Sequence, residues 1–265
     1  MAGMRQDVDT WKFYDVTHRD HVVCNPSSPA RLDELIALLD LPPDPRVLDI
    51  ASGKGWFLCR LAERCGGPQG AGVGGVAIDV SPFVVAELRN AVRERVPRAE
   101  LTILEQDAAT YRPAPASFDL AACVGASWIY GGLRRTLAAL AAAVRPGGQV
   151  LVGEPFWRHE PDAEYLAWAD MSRDLCGTHP ENVAAGEEAG LVPLLAWVST
   201  PEEWDRYETL QWRAAARYAA AHPDDPDLAE LLARVARARH EYLVWGRDTL
   251  GWALYLFAVP TRTAS

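Results

Sequence analysis

The amino-acid sequence predicts an α/β protein built on a doubly wound, mostly parallel sheet with a helical cap. Three observations predict it. The stretch 47–58, V-L-D-I-A-S-G-K-G-W-F-L, carries an apolar strand to Asp49, turns on Gly53 and Gly55, and passes at once into a helical pattern. Strand and helix patterns then alternate five times up to Glu154. Two late strands, at about 191–198 and 249–259, flank a long helical block. Ligands of such sheets sit beyond the carboxyl ends of the strands, so the glycine turn marks where a site is to be sought.

Residues 1 to about 10 are polar, and the W-K-F-Y-D-V-T-H-R-D-H that follows is too charged for plain core. Residues 1–30 therefore read as an N-terminal lid segment. Ser28 and Pro29 suit a helix start, the serine as cap and the proline at the first helical position. Leu32, Leu35, Ile36 and Leu39 make the buried stripe, and Pro42, Pro43 and Pro45 end the helix before a first strand at about 46–51. The helix after the glycines carries Phe57, Leu58 and Leu61 and ends near Gly66. A formal G-x-G-x-x-G at Gly70, Gly72 and Gly75 precedes a strand instead of opening a helix, so it reads as a surface loop.

The second strand ends at Asp79, after which Ser81 and Pro82 predict a capped helix with Val84, Val85 and Leu88 inward. The third strand, 101–104, leads to Asp107, and the fourth spans 118–124. An alanine-rich helix over 133–144 turns through R-P-G-G into the fifth strand, Q-V-L-V-G-E. Helical stretches fill 155–190. The block at 202–246, broken at H-P-D-D-P-D, is the expected cap between the two late strands.

A chain of 265 residues with 49% hydrophobic content can bury one substantial core, so 1–265 reads as one domain. A net charge of -10 disfavours nucleic acid as a partner, because few phosphate counterions could be released. Arg134-Arg135 reads as a solvated helix face. Five irregularly spaced cysteines without C-x-x-C disfavour a metal site or a disulfide framework, and Cys59 and Cys123 fall in apolar segments. With no signal-like segment before Trp11 and no membrane-length apolar run, the expectation is a soluble cytoplasmic protein, monomer or homodimer.

Asp49 and its glycine turn can serve a nicotinamide dinucleotide, a nucleotide or S-adenosylmethionine. The turn lacks the third glycine of a dinucleotide site, and Lys54 is followed by glycine where a triphosphate loop needs serine or threonine. Asp79 at the second strand end fits a ribose diol, and Asp107 at the third can accept from an adenine amine while the next N–H meets a ring nitrogen. Each acid alone is more often a cap or turn residue. Their succession on three strand ends is harder to dismiss.

The segments V-L-D-I-A-S-G-K-G, V-A-I-D-V-S, E-Q-D-A-A, F-D-L-A-A-C-V-G-A and R-P-G-G-Q-V-L-V-G-E-P-F-W resemble the class I S-adenosylmethionine-dependent methyltransferases, over roughly residues 30–160. The resemblance implies a seven-stranded, Rossmann-like sheet whose last strand inserts antiparallel. It implies a cofactor-binding core at 30–160, with the methionine part of S-adenosylmethionine at Asp49, Ala51, Gly53 and Gly55. Asp79 is then expected on the ribose, Val80 on the adenine face, Asp107 and Ala108 on the adenine edge, and Val124 on the floor. The family's first glycine is Ala51 here, which is tolerable if that residue avoids positive φ. H-R-D-H-V-V-C-N-P and G-E-P-F-W look like a bacterial small-molecule subgroup.

Methyl transfer needs in-line positioning within about 3–3.5 Å and, for some acceptors, removal of a proton. Glu154, His21 and Tyr14 are the candidates for that chemistry, and His18, Asn25 and His179 for acceptor contact. Ten tryptophans suggest an aromatic box from Trp128 and Trp157 beside Glu154, the remainder packing core or lid. The adenine- and glutamine-methylating motif N/D-P-P-[FYW] is replaced after the fourth strand by G-A-S-W-I-Y. The expected function is methylation of nitrogen or oxygen on a small molecule. The alternatives are a cofactor-consuming enzyme that does not methylate, such as a cyclase, and a non-catalytic cofactor binder.

Overall fold

The computed structural model describes residues 9–261, so the first eight residues of the expected N-terminal lid lie outside it. In chain order the elements are α1 (Thr10–Thr17), α2 (Pro29–Ala37), β1 (Arg46–Ile50), α3 (Trp56–Gly66), β2 (Gly74–Asp79), α4 (Pro82–Arg95) and β3 (Glu100–Glu105). There follow β4 (Phe118–Val124), α5 (Leu133–Ala143), β5 (Val144–Trp157), α6 (Ala163–Ala169), α7 (His179–Glu188) and β6 (Val192–Val198). Last come α8 (Pro201–Ala221), α9 (Leu228–Glu241), a wide π-type turn (Tyr242–Gly246) and β7 (Leu250–Ala258).

The sheet order is β3-β2-β1-β4-β5-β7-β6. The strands β1 to β5 pair in parallel, and β7 slots antiparallel between β5 and β6. This is the doubly wound sheet with an inserted last strand. Alternation along each buried strand splits the core in two. One half, on the α5–α7 face, holds Leu137, Leu140, Val150, Val152, Tyr255 and Phe257. The other, under α2, α3 and α4, holds Leu32, Leu35, Leu58, Leu61, Leu88 and Leu151.

Helix starts follow local chemistry. The Ser28 hydroxyl accepts from the Arg31 N–H at 3.2 Å with Pro29 at the first helical position. Ser81 departs from expectation: its hydroxyl makes no capping bond, because its own N–H is held by Asp79 Oδ1 at 3.0 Å and its side chain is buried. The fifth strand is longer than its apolar run, starting at Val144 with a register shift against β4 where R-P-G-G bulges. Gly75 lies inside β2, so the formal glycine motif builds a strand and not a phosphate loop.

The cap has its own small cluster, in which Val16 of α1 meets Ala215, Leu231 and Val235 with Phe13 and Trp212 against them. Three aliphatic residues and an alanine bury far less than either sheet core, so the cap is the less stable part. The chain's N-terminal helix is thus part of the cap, not a separate arm. Among the described residues no helix is long and apolar enough to cross a membrane.

Candidate functional site

β1 delivers Asp49 to a turn in which three residues take the left-handed region: Ala51 at φ 55°, Gly53 at 53° and Gly55 at 76°. Ala51 does not avoid positive φ, contrary to the condition set by its sequence. A side chain there costs about 1–2 kcal/mol, which the surrounding bonds must hold. They do so through Ser52. Its N–H donates to the Ile78 carbonyl at 3.1 Å, and its hydroxyl donates to the Asp49 carbonyl at 2.7 Å and accepts from the Ile78 N–H at 3.1 Å.

Asp79 ties the same turn to α4: Oδ2 accepts from the Gly53 N–H at 2.9 Å while Oδ1 holds Ser81. Burial raises its carboxyl, and its backbone N–H donors oppose that. Asp49 lies deeper. Burial, with the Asp79 charge next, pushes its carboxyl up to about 7, and no cation among the described residues pairs with it. A Cβ on Gly53 would meet nothing within 4 Å, so open space begins directly in front of the turn.

That space is a cleft of about 520 Å³, bounded by Asp49, the turn from Ala51 to Gly55, Val124 and, from above, Val22 to Asn25. Next to it lies a slot of about 240 Å³ between Asp79 and Val80 on one side and Asp107, Ala108, Trp128 and Ile129 on the other. Ala51 borders both, so the two spaces adjoin. Asp107 is exposed and caps the turn after β3 by accepting from the Ala109 N–H at 2.8 Å. A flat ring in the slot, a diol at Asp79 and a cationic tail beside Asp49 is the ligand shape these walls fit.

The N-terminal residues form a second cluster. His18 Nδ1 lies within reach of two acceptors, the Tyr14 carbonyl at 3.3 Å and Thr17 Oγ1 at 3.1 Å, so it carries the proton, and Nε2 accepts from the Tyr207 hydroxyl at 2.9 Å. His21 Nε2 donates to the Tyr207 carbonyl at 2.8 Å, which leaves Nδ1 as a buried lone pair with no partner. Burial lowers both imidazoles, His18 to about 3, so both are neutral. Tyr14 stacks on His18 at 5.1 Å and is half exposed. Asn25 lines the cleft with its Oδ1 buried and unpartnered. Cys24 and Lys54 also line it, and Tyr207 bonds both histidines; sequence reasoning assigned none of the three to the site.

Other expectations are redistributed. Trp128 is 67% exposed and borders the adenine-shaped slot, whereas Trp157 is 2% exposed, donates from Nε1 to the Arg173 carbonyl at 2.8 Å and packs edge-on to Tyr165. The two do not form a box. One lies in the 3-10 turn Ser127–Tyr130 after β4 at the surface and the other is core at the end of β5. Glu154 accepts from the Ser127 hydroxyl at 2.9 Å, its Oε1 is buried without a partner, and burial pushes it up to about 7. Period-two alternation puts it with Val150 and Val152 on the α5–α7 face, in a groove with Arg134 and Arg173 that shares no wall with the cleft. His179 lies there too, bonded through Nδ1 to the Tyr255 hydroxyl at 2.8 Å and packed on Phe156. Neither is brought to the N-terminal histidines.

Comparison with known proteins agrees with this geometry. Residues 47–148 match the family model described as a methyltransferase domain. The uncharacterised protein YjhP of Escherichia coli K12 is 32% identical over 251 residues, 94% of this chain and 98% of its own. A methyltransferase of Geobacter sulfurreducens, solved with S-adenosylhomocysteine, superposes with a TM-score of 0.84 at 32% identity, covering 96% of this chain and 99% of that one. One from Thiobacillus denitrificans, also with S-adenosylhomocysteine, gives 0.83 at 30% identity, covering 96% and 100%. The cleft, the slot and these likenesses describe one thing: the chain belongs to the class I S-adenosylmethionine-dependent methyltransferases, and S-adenosylmethionine is its cofactor.

Proposed function

We propose that the protein transfers a methyl group to nitrogen or oxygen of a small-molecule acceptor bound beneath the cap. Bound S-adenosylmethionine supplies an electrophilic methyl group on a positive sulfur. The chain's own residues would do the rest. Asp49, once ionised, would face the cationic tail, with the backbone of Ala51, Gly53 and Gly55 around it. Asp79 would take the ribose hydroxyls, Val80 and Trp128 would sandwich the adenine, and Asp107 with the Ala108 N–H would read its edge. Val124 would form the floor.

The observation that carries the acceptor reading is the roof. Val22 to Asn25 form a wall of the cofactor cleft itself, held down by His21 on the Tyr207 carbonyl of α8. An acceptor must fit under this strap, which favours a small molecule over a macromolecule. His21 Nδ1 is the group best suited to take a proton there. Its tautomer is fixed, it is neutral, and it has no competing donor. Tyr14 and His18 would act as positioning residues through their contacts with His21 and Tyr207, and Asn25 as an acceptor-binding residue.

Incubation with methyl-labelled cofactor and pools of small amines and phenols tests the reading. Label should appear in a small product, with S-adenosylhomocysteine released. Release of methylthioadenosine instead would point to the non-methylating alternative. His21→Asn should lower kcat by about 10²–10⁴-fold with S-adenosylhomocysteine affinity unchanged. An unaffected kcat would remove His21 from the chemistry.

A further inference from the structure

An open groove of about 970 Å³ lies where the first turns of α5 and α7 meet the end of β5, and it shares no wall residue with the cofactor cleft or the adenine-shaped slot. Glu154 is on its wall and is 6% exposed. Oε2 accepts from the Ser127 hydroxyl at 2.9 Å, while Oε1 has no partner among the described residues. A buried carboxylate oxygen left unanswered is costly. Two arginines border the same groove, yet each is committed elsewhere: Arg134 to Glu188 and Arg173 to Glu160 at 2.9 Å, acids that lie off the groove wall. Another acid on the wall, Glu181, is spent in the α7 capping box, accepting from the Thr178 N–H at 2.7 Å and hydroxyl at 2.9 Å.

Asn182 of α7, 4% exposed, supplies a second acceptor on the same wall. Its amide nitrogen donates to the Pro155 carbonyl at 3.1 Å and to the Tyr255 hydroxyl at 3.2 Å. A carbonyl can only accept, so the amide's orientation is fixed and Oδ1 is its free end. Oδ1 lies beside Gly177, where an added Cβ would come within 3.2 Å of it, and Gly177 is itself on the groove wall. Because Asn182 is bonded to the residue next to Glu154, the two acceptors adjoin. The groove has no aromatic lining, and Leu133, Pro155 and Leu175 are its larger apolar residues. Its complement is a positively charged N–H donor on a short carbon chain. A fully methylated ammonium lacks the N–H groups and would need ring faces instead.

We infer that this groove binds a small primary amine, whose ammonium group donates to Glu154 Oε1 and Asn182 Oδ1 while its carbon chain lies against Leu133, Pro155 and Leu175. The ammonium supplies the cation that the buried carboxylate lacks, and charge-assisted hydrogen bonds of this kind are among the stronger ones. The site is separate from the strap under which the methyl acceptor is placed, so it stands or falls apart from that reading.

Isopentylamine, isopentyl alcohol and the N-trimethylated amine are the probes, titrated calorimetrically at about pH 8 into protein saturated with S-adenosylhomocysteine; the primary amine is cationic there. It is expected to bind at least about tenfold tighter than either companion. Glu154→Gln should weaken it by about tenfold or more, with S-adenosylhomocysteine affinity within about twofold of the wild type. Glutamine keeps an oxygen for the Ser127 hydroxyl, so the turn that carries Trp128 to the adenine-shaped slot stays in place. Leu175→Lys, at a 60% exposed position on the groove wall, should weaken the amine by roughly threefold through like charge, whether or not Glu154→Gln folds. His21→Asn, in the strap, should leave amine affinity unchanged. Equal binding of the three probes, binding of none, or full amine affinity in a folded Glu154→Gln or in Leu175→Lys would overturn the inference. So would loss of the amine in His21→Asn, which would put it under the strap.

Discussion

Ala51 holds a left-handed conformation that its side chain resists, and the energy of that resistance is measurable. Ala51→Gly should be neutral or stabilising by up to about 1 kcal/mol in chemical denaturation, where the same change inside a helix costs about 1 kcal/mol. A loss of that size would mean that the strain is absent. Asp49 gives a second measurable quantity. With its carboxyl raised to about 7, it is largely protonated below that pH, and a cationic tail beside it favours the ionised form. Binding S-adenosylhomocysteine must then release a proton, so affinity should rise by up to about tenfold per pH unit from 5 to 7 and level off above. Asp49→Asn should flatten the profile. The acids Asp49, Asp79 and Asp107 were legible in the sequence because strand ends are fixed by apolar runs. Tyr207 and the free nitrogen of His21 were not, since nothing in a helix pattern tells which polar side chain turns inward against another element. Trp128 and Trp157 failed as a pair for the same reason: indoles read as apolar wherever they go, and only packing separates a surface ring from a core one.

Among elements, α8 is joined to the start of α2 through one acid. Glu203 accepts from the Ser28 N–H at 3.1 Å and hydroxyl at 2.6 Å and from Arg31 Nε at 2.9 Å, and these bonds, against its burial, hold it below the usual carboxylate range. It also closes the capping box with Thr200. Glu203→Ala should cost about 2–3 kcal/mol, and amide exchange should quicken in α8 before the sheet. Uniform quickening would mean that cap and sheet open together. Strands and helices of the sheet were predictable nearly to the residue, α3 ending at Gly66 as its glycines imply. Ser81 and the start of β5 were not, because a competing carboxylate and a bulge decide them, and both are tertiary events.

For the whole molecule, the net charge of -10 and the strap across the cleft argue together for small ligands. S-adenosylhomocysteine at a hundredfold its Kd should add about 2.7 kcal/mol, a melting shift of roughly 5–10 °C for a chain of this size. Nicotinamide dinucleotide and ATP should give none. Asp79→Ala should lose the shift yet retain a cooperative transition, since its carboxylate joins the turn to α4 without anchoring either core.

The place where the cap leaves and rejoins the sheet has a wider consequence. Val198 of β6 sits directly across from Ala253 of β7, so everything from Thr200 to Thr249 departs and returns between neighbouring, oppositely directed strands. Such a segment can be exchanged for another without rethreading any strand or disturbing the five that carry the nucleoside grip. A chain that traded this block for another would keep the order of its seven strands and the glycine turn after β1 as they are.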